Sequence, residues 1–314
     1  MKVVVTGGAG FIGSHIAESY VNEGAEVHII DDLATGHRRN VPAGATFHEG
    51  SILDSNLLSK VFAGASFVFH QAALGSVPRS ISDPLRSNEV NVSGTLGVLL
   101  AARDAQVRKV VFAASSSAYG DTPTLPKHEA MPVNPQSPYA VTKVAGEHYC
   151  RAFSNIYGLP TTALRYFNVY GPRQDPNGAY AAVIPRFIAA AFKGNPLLIY
   201  GDGSQTRDFT YVADVVRANK LAAEEKRTDG LVMNIGAAGR TSIRELAGLV
   251  IRLSRSQSRI ELAPSRPGDI RDSLADLTLA ERAMGYRPEY PITQGLKLTV
   301  EHFISSAIDE QERV

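Results

Sequence analysis

The chain has 314 residues, enough for one large or two modest domains with a real core. Its formal net charge of +1 excludes a global field for nucleic acid or membrane, so recognition of phosphates must be local. Its one cysteine, Cys150, excludes an intrachain disulfide and a cysteine metal cluster and suits a reducing cytoplasm.

Lys2 to Thr6 is a short β-branched run that predicts a buried strand, and it is far too short for a signal peptide. Gly7, Gly10 and Gly13 follow at G-x-x-G-x-x-G spacing, and Phe11 to Glu23 shows helical periodicity ending at Gly24. Ala25 to Ile30 predicts the next strand, with Asp31 at its end. In such a unit the first glycine allows the tight turn, the second lets the backbone approach a pyrophosphate, and the third lets helix and strand pack closely. Asp31, eighteen residues after Gly13, fits the acid that accepts both ribose hydroxyls of NAD and repels a 2′-phosphate. Arg38 and Arg39 lie several residues into the loop and argue only weakly for NADP.

Further strands are predicted at Thr46–His48, Ser66–His70, Lys109–Ala113 and Thr161–Tyr166, and helices at Asp54–Phe62, Asp83–Asp104 and Ser137–Tyr157. The alternation predicts an α/β fold with a doubly wound parallel sheet. Ser115 then follows a strand end, where ligands meet open α/β sheets. Tyr139 and Lys143 lie one turn apart on one helix face. A neighbouring ammonium draws a phenol down from about 10, and reaching neutrality asks for roughly 3 units, or about 4 kcal/mol. The product is a general base for an alcohol proton. Tyr-x-x-x-Lys alone is a weak signal; its place after a complete dinucleotide unit makes it informative.

After Gly171-Pro172, proline, glycine and charged loops become frequent. Residues 1–172 and 209–236 are expected to form the NAD domain, and 173–208 with 237–314 a smaller, discontinuous α/β substrate lobe. No apolar run approaches the roughly 20 residues of a membrane helix. Arg186 and Lys193 interrupt the best candidate, Ala179 to Tyr200.

These residues resemble the extended short-chain dehydrogenase/reductase family, and within it the nucleotide-sugar 4-epimerases. The markers are Thr6 to Gly13, His70-Gln71-Ala72-Ala73, Ser115 to Gly120, Tyr139 to Lys143, Leu164 to Pro172 and Gly201-Asp202-Gly203. Segments around Ser76, Gln174, Arg207 and Gly268 to Ser273 sharpen the likeness to bacterial UDP-N-acetylglucosamine and UDP-N-acetylglucosaminuronate 4-epimerases of surface-polysaccharide pathways.

The resemblance implies a catalytic set of Ser115, Tyr139 and Lys143. It implies an NAD site of Gly7, Gly10, Phe11, Ile12, Gly13, Asp31, Asp32, Ala72 and Tyr166, with Tyr139 and Lys143. Asn168 and Arg207 would hold the diphosphate, Arg266 and Asp269 would face diphosphate and ribose, and Ser76, Ser117 and Gln174 would contact the sugar. Ser51 departs from the acid usually found near the adenine. The implied reaction is C4 epimerisation of a UDP-sugar through a transient 4-keto sugar, with NADH formed and reoxidised in place.

Ser116-Ser117 stands where 4,6-dehydratases carry an Asp-Glu pair, which argues against dehydration. Ser273 is implied at a pocket wall where epimerases restricted to glucose and galactose carry tyrosine. A serine leaves room for a 2-N-acetyl group, though removing a blocker seldom makes specificity exclusive. UDP-N-acetylglucosamine/UDP-N-acetylgalactosamine is therefore the expected pair. UDP-glucose/UDP-galactose epimerisation and epimerisation or decarboxylation of UDP-uronates are the alternatives. A non-catalytic NAD-sensing regulator on the same fold would be expected to lack the tyrosine or the lysine. The histidines show no metal-ligand spacing. The family commonly forms a homodimer through four helices, and 83–104 and 137–157 have apolar residues to spare for that.

Overall fold

The structure, a computed structural model, describes residues 1–176, 181–265 and 271–311. The chain begins β1 (Lys2–Thr6), α1 (Phe11–Asn22), β2 (Glu26–Asp31), β3 (Thr46–Glu49), α2 (Ser55–Phe62) and β4 (Phe67–His70). It continues α3 (Val77–Ser82), α4 (Pro84–Asn88), α5 (Gly94–Asp104), β5 (Lys109–Ser115), α6 (Pro138–Tyr157) and β6 (Thr161–Tyr166). Next come β7 (Val169–Tyr170), α7 (Val183–Phe192), β8 (Leu197–Tyr200), β9 (Thr206–Arg207), β10 (Thr210–Tyr211), α8 (Val212–Glu224) and β11 (Val232–Ile235). The last elements are β12 (Thr241–Ser242), α9 (Ile243–Ser254), β13 (Ile260–Ala263), α10 (Thr278–Met284) and α11 (Ile292–Gln311).

Seven strands form one sheet in the order β11-β6-β5-β4-β1-β2-β3, all parallel. This is the doubly wound architecture expected from the sequence. The order reverses between β1 and β4, the switch point where such sheets open a ligand crevice. Parallel strands covered on both faces need apolar residues throughout, and Val3, Val4 and Val5 are fully buried. Alternation sends Val3 and Val5 into the layer with Ile16 of α1 and Ala218 of α8. Val4 enters the other layer with Leu58, Val98 and Phe153 of α2, α5 and α6.

A third apolar cluster gathers α7, β8, α9 and α11 around Phe187, Ile199, Leu246 and Leu296. It sits beyond the carboxyl ends of β6 and β11. Residues 278–286, expected in the second lobe, pack on the sheet instead. Ala280, Met284 and Tyr286 share a cluster with Met233 of β11, and the Tyr286 hydroxyl donates to Gly236 O at 2.8 Å.

The single helix expected over 83–104 is interrupted. Between α4 and α5, residues 89–93 form a π-turn, a local widening that often marks function. It carries Asn91 inward, where its amide accepts from Leu74 N at 2.8 Å and donates to Thr142 Oγ1 at 3.1 Å.

Candidate active site

The site grows from the turn after β1. At Gly7, with φ of +70°, a Cβ would lie 2.6 Å from Ala72 N, and at Gly13 it would lie 2.2 Å from Gly7 O. Neither position admits a side chain. Gly10 caps α1 with no side-chain bond, and no acid lies in that helix's first turn. The early N–H groups of α1 therefore keep their affinity for an anion. Asp31 is buried, and its oxygens accept from Ala9 N at 3.0 Å and Leu33 N at 2.8 Å. A carboxylate offers about four lone-pair sites, so capacity remains for a diol. Burial pushes its pKa up against those backbone bonds.

Gly7, Gly10, Phe11, Ile12, Gly13, Asp31, Asp32, Ala72, Tyr139, Lys143 and Tyr166 line one cavity of about 640 Å³. The residues thus fit a dinucleotide, with an anion site at the helix start and an acid at the end of β2. The Arg38 guanidinium lies over the Phe47 ring at 4.0 Å. The Ser51 hydroxyl accepts from Leu53 N at 3.2 Å.

The floor of this cavity is held by buried polar groups. His70, at the end of β4, shares hydrogen bonds with Thr6 Oγ1 at 2.8 Å and Thr95 Oγ1 at 2.9 Å. Thr95 donates its own proton to Asn91 O at 2.7 Å. Nε2 of His70 must then be the donor, and the ring is neutral. Burial drives its pKa down to about 3. The Tyr166 hydroxyl accepts from Asn219 Nδ2 at 2.8 Å and Gln71 Nε2 at 3.1 Å, and burial raises it to about 12.

Ser115 ends β5. Its Oγ accepts from Ser117 N at 3.2 Å and from Ser117 Oγ at 2.9 Å, and it hydrogen-bonds the Tyr139 phenol. Tyr139 stands in the first turn of α6, which is capped by Ser137 on Ala140 N at 3.2 Å. The Tyr139 amide donates to Ser80 Oγ at 3.0 Å. One turn on, Lys143 Nζ donates to Ala113 O at 2.8 Å and lies 5.9 Å from the Tyr139 ring centroid.

The charge balance differs from the sequence expectation. Tyr139 keeps part of its surface open to the cavity but lies deep in the protein. That depth raises its pKa, and the Ser115 hydrogen bond opposes the rise. Burial also brings Lys143 down to about 8. Within the protein alone, desolvation outweighs the pull of the ammonium on the phenol.

A second cavity of about 300 Å³ adjoins the first, and Gln174, Ala181 and Ala182 line both. Asn168 and Arg207 line the second, as do Arg186, Tyr200, Gln205 and Phe209. Asn168 has φ of +31° and donates from Nδ2 to Asp208 O at 3.0 Å and Ser273 Oγ at 3.2 Å. Arg207 Nη1 donates to Thr206 O and Arg271 O, both at 2.9 Å. Gln174 Nε2 donates to Val169 O at 3.3 Å, while its Oε1 is buried with no partner among the described residues. Ser273 is buried behind Asn168 and also accepts from Asp208 N at 3.4 Å. Ser76 caps α3 by accepting from Arg79 N at 3.2 Å and faces the first cavity. Arg266 and Asp269 lie outside the described residues.

Comparison with known proteins settles the family. Residues 3–236 match the NAD dependent epimerase/dehydratase family. The chain belongs to that family.

A UDP-glucose 4-epimerase of Mycolicibacterium smegmatis is 40% identical over 313 residues, covering 96% of this chain and 98% of that one. A UDP-N-acetyl-alpha-D-glucosaminuronate decarboxylase of Bacillus cytotoxicus is 37% identical, covering 96% and 97%. Among solved structures, the UDP-N-acetylglucosamine 4-epimerase of Methanobrevibacter ruminantium in complex with UDP-N-acetylmuramic acid superposes with a TM-score of 0.93. It is 40% identical, covering 97% of this chain and 98% of that one.

For this NAD-dependent family member, sequence reasoning missed several residues around the cavities. Asn219 and Gln71 flank the Tyr166 hydroxyl. Tyr200 and Phe209 give the second cavity aromatic faces, and the Arg186 guanidinium lies 5.9 Å from the Tyr200 ring. The signal available for Tyr200 was its place at the end of a short apolar strand, directly before Gly201-Asp202-Gly203.

Proposed function

We propose that the protein is a UDP-sugar 4-epimerase that prefers UDP-N-acetylglucosamine and UDP-N-acetylgalactosamine. The observation that carries the reading is the Tyr139 phenol, hydrogen-bonded to Ser115 and one turn from Lys143, in a cavity that continues into a second one past Gln174. Bound NAD supplies a reversible hydride acceptor and a cationic ring. Tyr139 takes the proton of the sugar 4-hydroxyl, and Ser115 with Ser117 holds the same oxygen by hydrogen bonds. Lys143 holds positive charge beside the phenol. The 4-keto sugar turns about its link to the diphosphate while the nucleotide stays fixed. Remote binding energy thereby retains a reactive intermediate.

Asn168, Arg207, Arg266 and Asp269 are assigned to the nucleotide side, and Ser76, Ser117 and Gln174 to the sugar. Ser273 supports the acetamido preference, because a small residue behind Asn168 leaves space beside the sugar. The proposed division into an NAD domain and a nucleotide-sugar lobe belongs to the same reading. So does a cytoplasmic location; among the described residues no helix is long and apolar enough to cross a membrane. A homodimer is proposed through α4, α5 and α6, where Leu85 is 84% and Val141 52% exposed.

A second reading, action on UDP-uronates, draws on the decarboxylase relative and on Gln174 Oε1, which is buried without a partner among the described residues. The test is a product assay on purified protein without added NAD. UDP-N-acetylglucosamine, UDP-N-acetylglucosaminuronate, UDP-glucose and UDP-glucuronate are run in parallel. Conversion of UDP-N-acetylglucosamine to its C4 epimer is expected. Turnover of glucose/galactose alone would keep the mechanism and remove the Ser273 argument. No turnover with NAD supplied would sink the epimerase reading.

A further inference from the structure

The helix that carries Tyr139 and Lys143 carries one more buried charge, Glu147, one turn beyond Lys143 on the same face. Its oxygens accept from Arg165 Nε at 2.8 Å and Nη2 at 2.7 Å. The two side chains are 4% and 5% exposed. Arg165 sits on β6 opposite Ala114, beside Ser115. Its guanidinium covers the Tyr119 ring at 4.6 Å, in the turn that follows Ser115. The pair therefore joins the helix of Tyr139, the strand of Tyr166 and the turn of Ser115. Buried pairs of this kind are often matched or beaten in stability by apolar residues of similar volume. Fold stability alone is thus a weak account of why charges stand here.

The groups around the Lys143 ammonium show what Glu147 supplies. From α6 come the Tyr139 phenol, Glu147 and the Cys150 thiol. From β4 comes His70, from β5 the Ala113 carbonyl and the Phe112 ring, and from β6 Tyr166 and Arg165. Burial raises Tyr166 and Cys150, so they are neutral near pH 7, and His70 is neutral as well; burial also raises Tyr139 in the protein alone, so it is no standing counter-charge there. Burial lowers Lys143, and among carboxylates it is Glu147 that opposes the fall.

We propose that Glu147, paired with Arg165, is a positioning residue: it is the counter-charge that keeps Lys143 an ammonium inside the cofactor cavity. The inference rests on reading Lys143 as the cation of the site, and adds how a lysine buried so deeply stays charged.

Trace labelling with acetic anhydride, followed by mass spectrometry across neutral to alkaline pH, reads the Lys143 midpoint in the purified protein. Surface Lys60 in the same digest is the control. Glu147→Gln should lower the Lys143 midpoint by about one pH unit, about tenfold less ammonium at a given pH. The alkaline limb of the turnover profile should move down with it. Glu147→Gln strands the Arg165 charge and can unfold the protein, so Glu147→Gln/Arg165→Met is measured beside it and should shift the same way but by less, because losing the Arg165 charge works against the shift. An unmoved midpoint in the folded variants, with activity lost at every pH alike, overturns the inference and leaves a structural pair. Lys143→Met is the separate control. If it retains turnover, the reading of Lys143 itself fails, whatever the Glu147 variants do.

Discussion

The first cavity is walled by strand ends of the central sheet, the starts of α1 and α6 and the loops after β2 and β4, whereas the second is walled by elements outside that sheet, β7, β8, β9 and α7, with the loops between them. In the first, the reacting side chains are anchored on the long helix α6, and the floor beneath them on β4. Tyr139 is fixed by its helix and by Ser80, Lys143 by its helix and Ala113 O, and His70 by two threonines. In the second, Asn168 and Arg207 are fixed through backbone carbonyls of neighbouring loops. Chemistry asks for positions good to a fraction of an ångström and belongs on the rigid half. Choice of substrate asks for shape, and loops on a scaffold can vary that without disturbing the chemistry.

That contrast breaks most visibly at Tyr139. Tyr139→Phe should lower kcat by about 10²–10⁴-fold, the range of a lost acid–base group. KM should stay within a few-fold, because the second cavity is untouched. A large rise in KM with kcat retained would show that the tyrosine merely shapes the pocket.

The rigid half also predicts acid lability. His70 has its folded pKa depressed to about 3 from an ordinary 6.5. The unfolded chain then binds the extra proton, so stability is complete above pH 6.5 and falls as pH drops from there towards 3. The loss is on the order of 5 kcal/mol. His15, lowered by burial to about 4, adds to it in the same direction. His70→Gln should be less stable at neutral pH but show a flatter acid limb in denaturant titrations. An equally steep limb in the variant would place the lability elsewhere.

How much of this was legible follows the same divide. Gly7, Gly13, Asp31, Tyr139 and Lys143 were readable because each answers a local demand: a turn without a Cβ, a strand end, one helix face. Tyr200 and Asn219 were not, because their roles depend on which distant elements meet. Tyr200 reaches the second cavity only because β8 pairs with β13, sixty residues away in sequence. Glu147 looked like any polar position on a long helix; only the crossing of β6 beside it supplies Arg165. The burial that raises Tyr139 in the protein alone was not legible either, because a motif records its neighbours and not the depth at which it is buried.

Arg207 tests the looped half. If Arg207 holds the diphosphate as proposed, Arg207→Met should raise KM for the UDP-sugar by about 10–100-fold, since a lost charge-assisted contact weakens binding of ground state and transition state alike. Its kcat should change little. A fall in kcat at constant KM would mean that the second cavity takes part in the chemistry, and the division of labour would fail.

The smallest effect is expected at Ser273, and it sharpens the comparison most. Its hydroxyl accepts from Asn168 Nδ2 and Asp208 N, so it supports the loop amide. Ser273→Ala removes the hydroxyl and keeps the space; Ser273→Tyr fills it. If room for the acetamido group is what matters, Ser273→Tyr should lower kcat/KM for UDP-N-acetylglucosamine relative to UDP-glucose by about tenfold, a usual scale for steric discrimination in a pocket. Ser273→Ala should leave that ratio within about a factor of two. If both variants instead depress both substrates equally, Ser273 acts by holding Asn168. The preference would then have to come from residues nearer the sugar, with Gln174 and its buried, unpartnered Oε1 the next to vary.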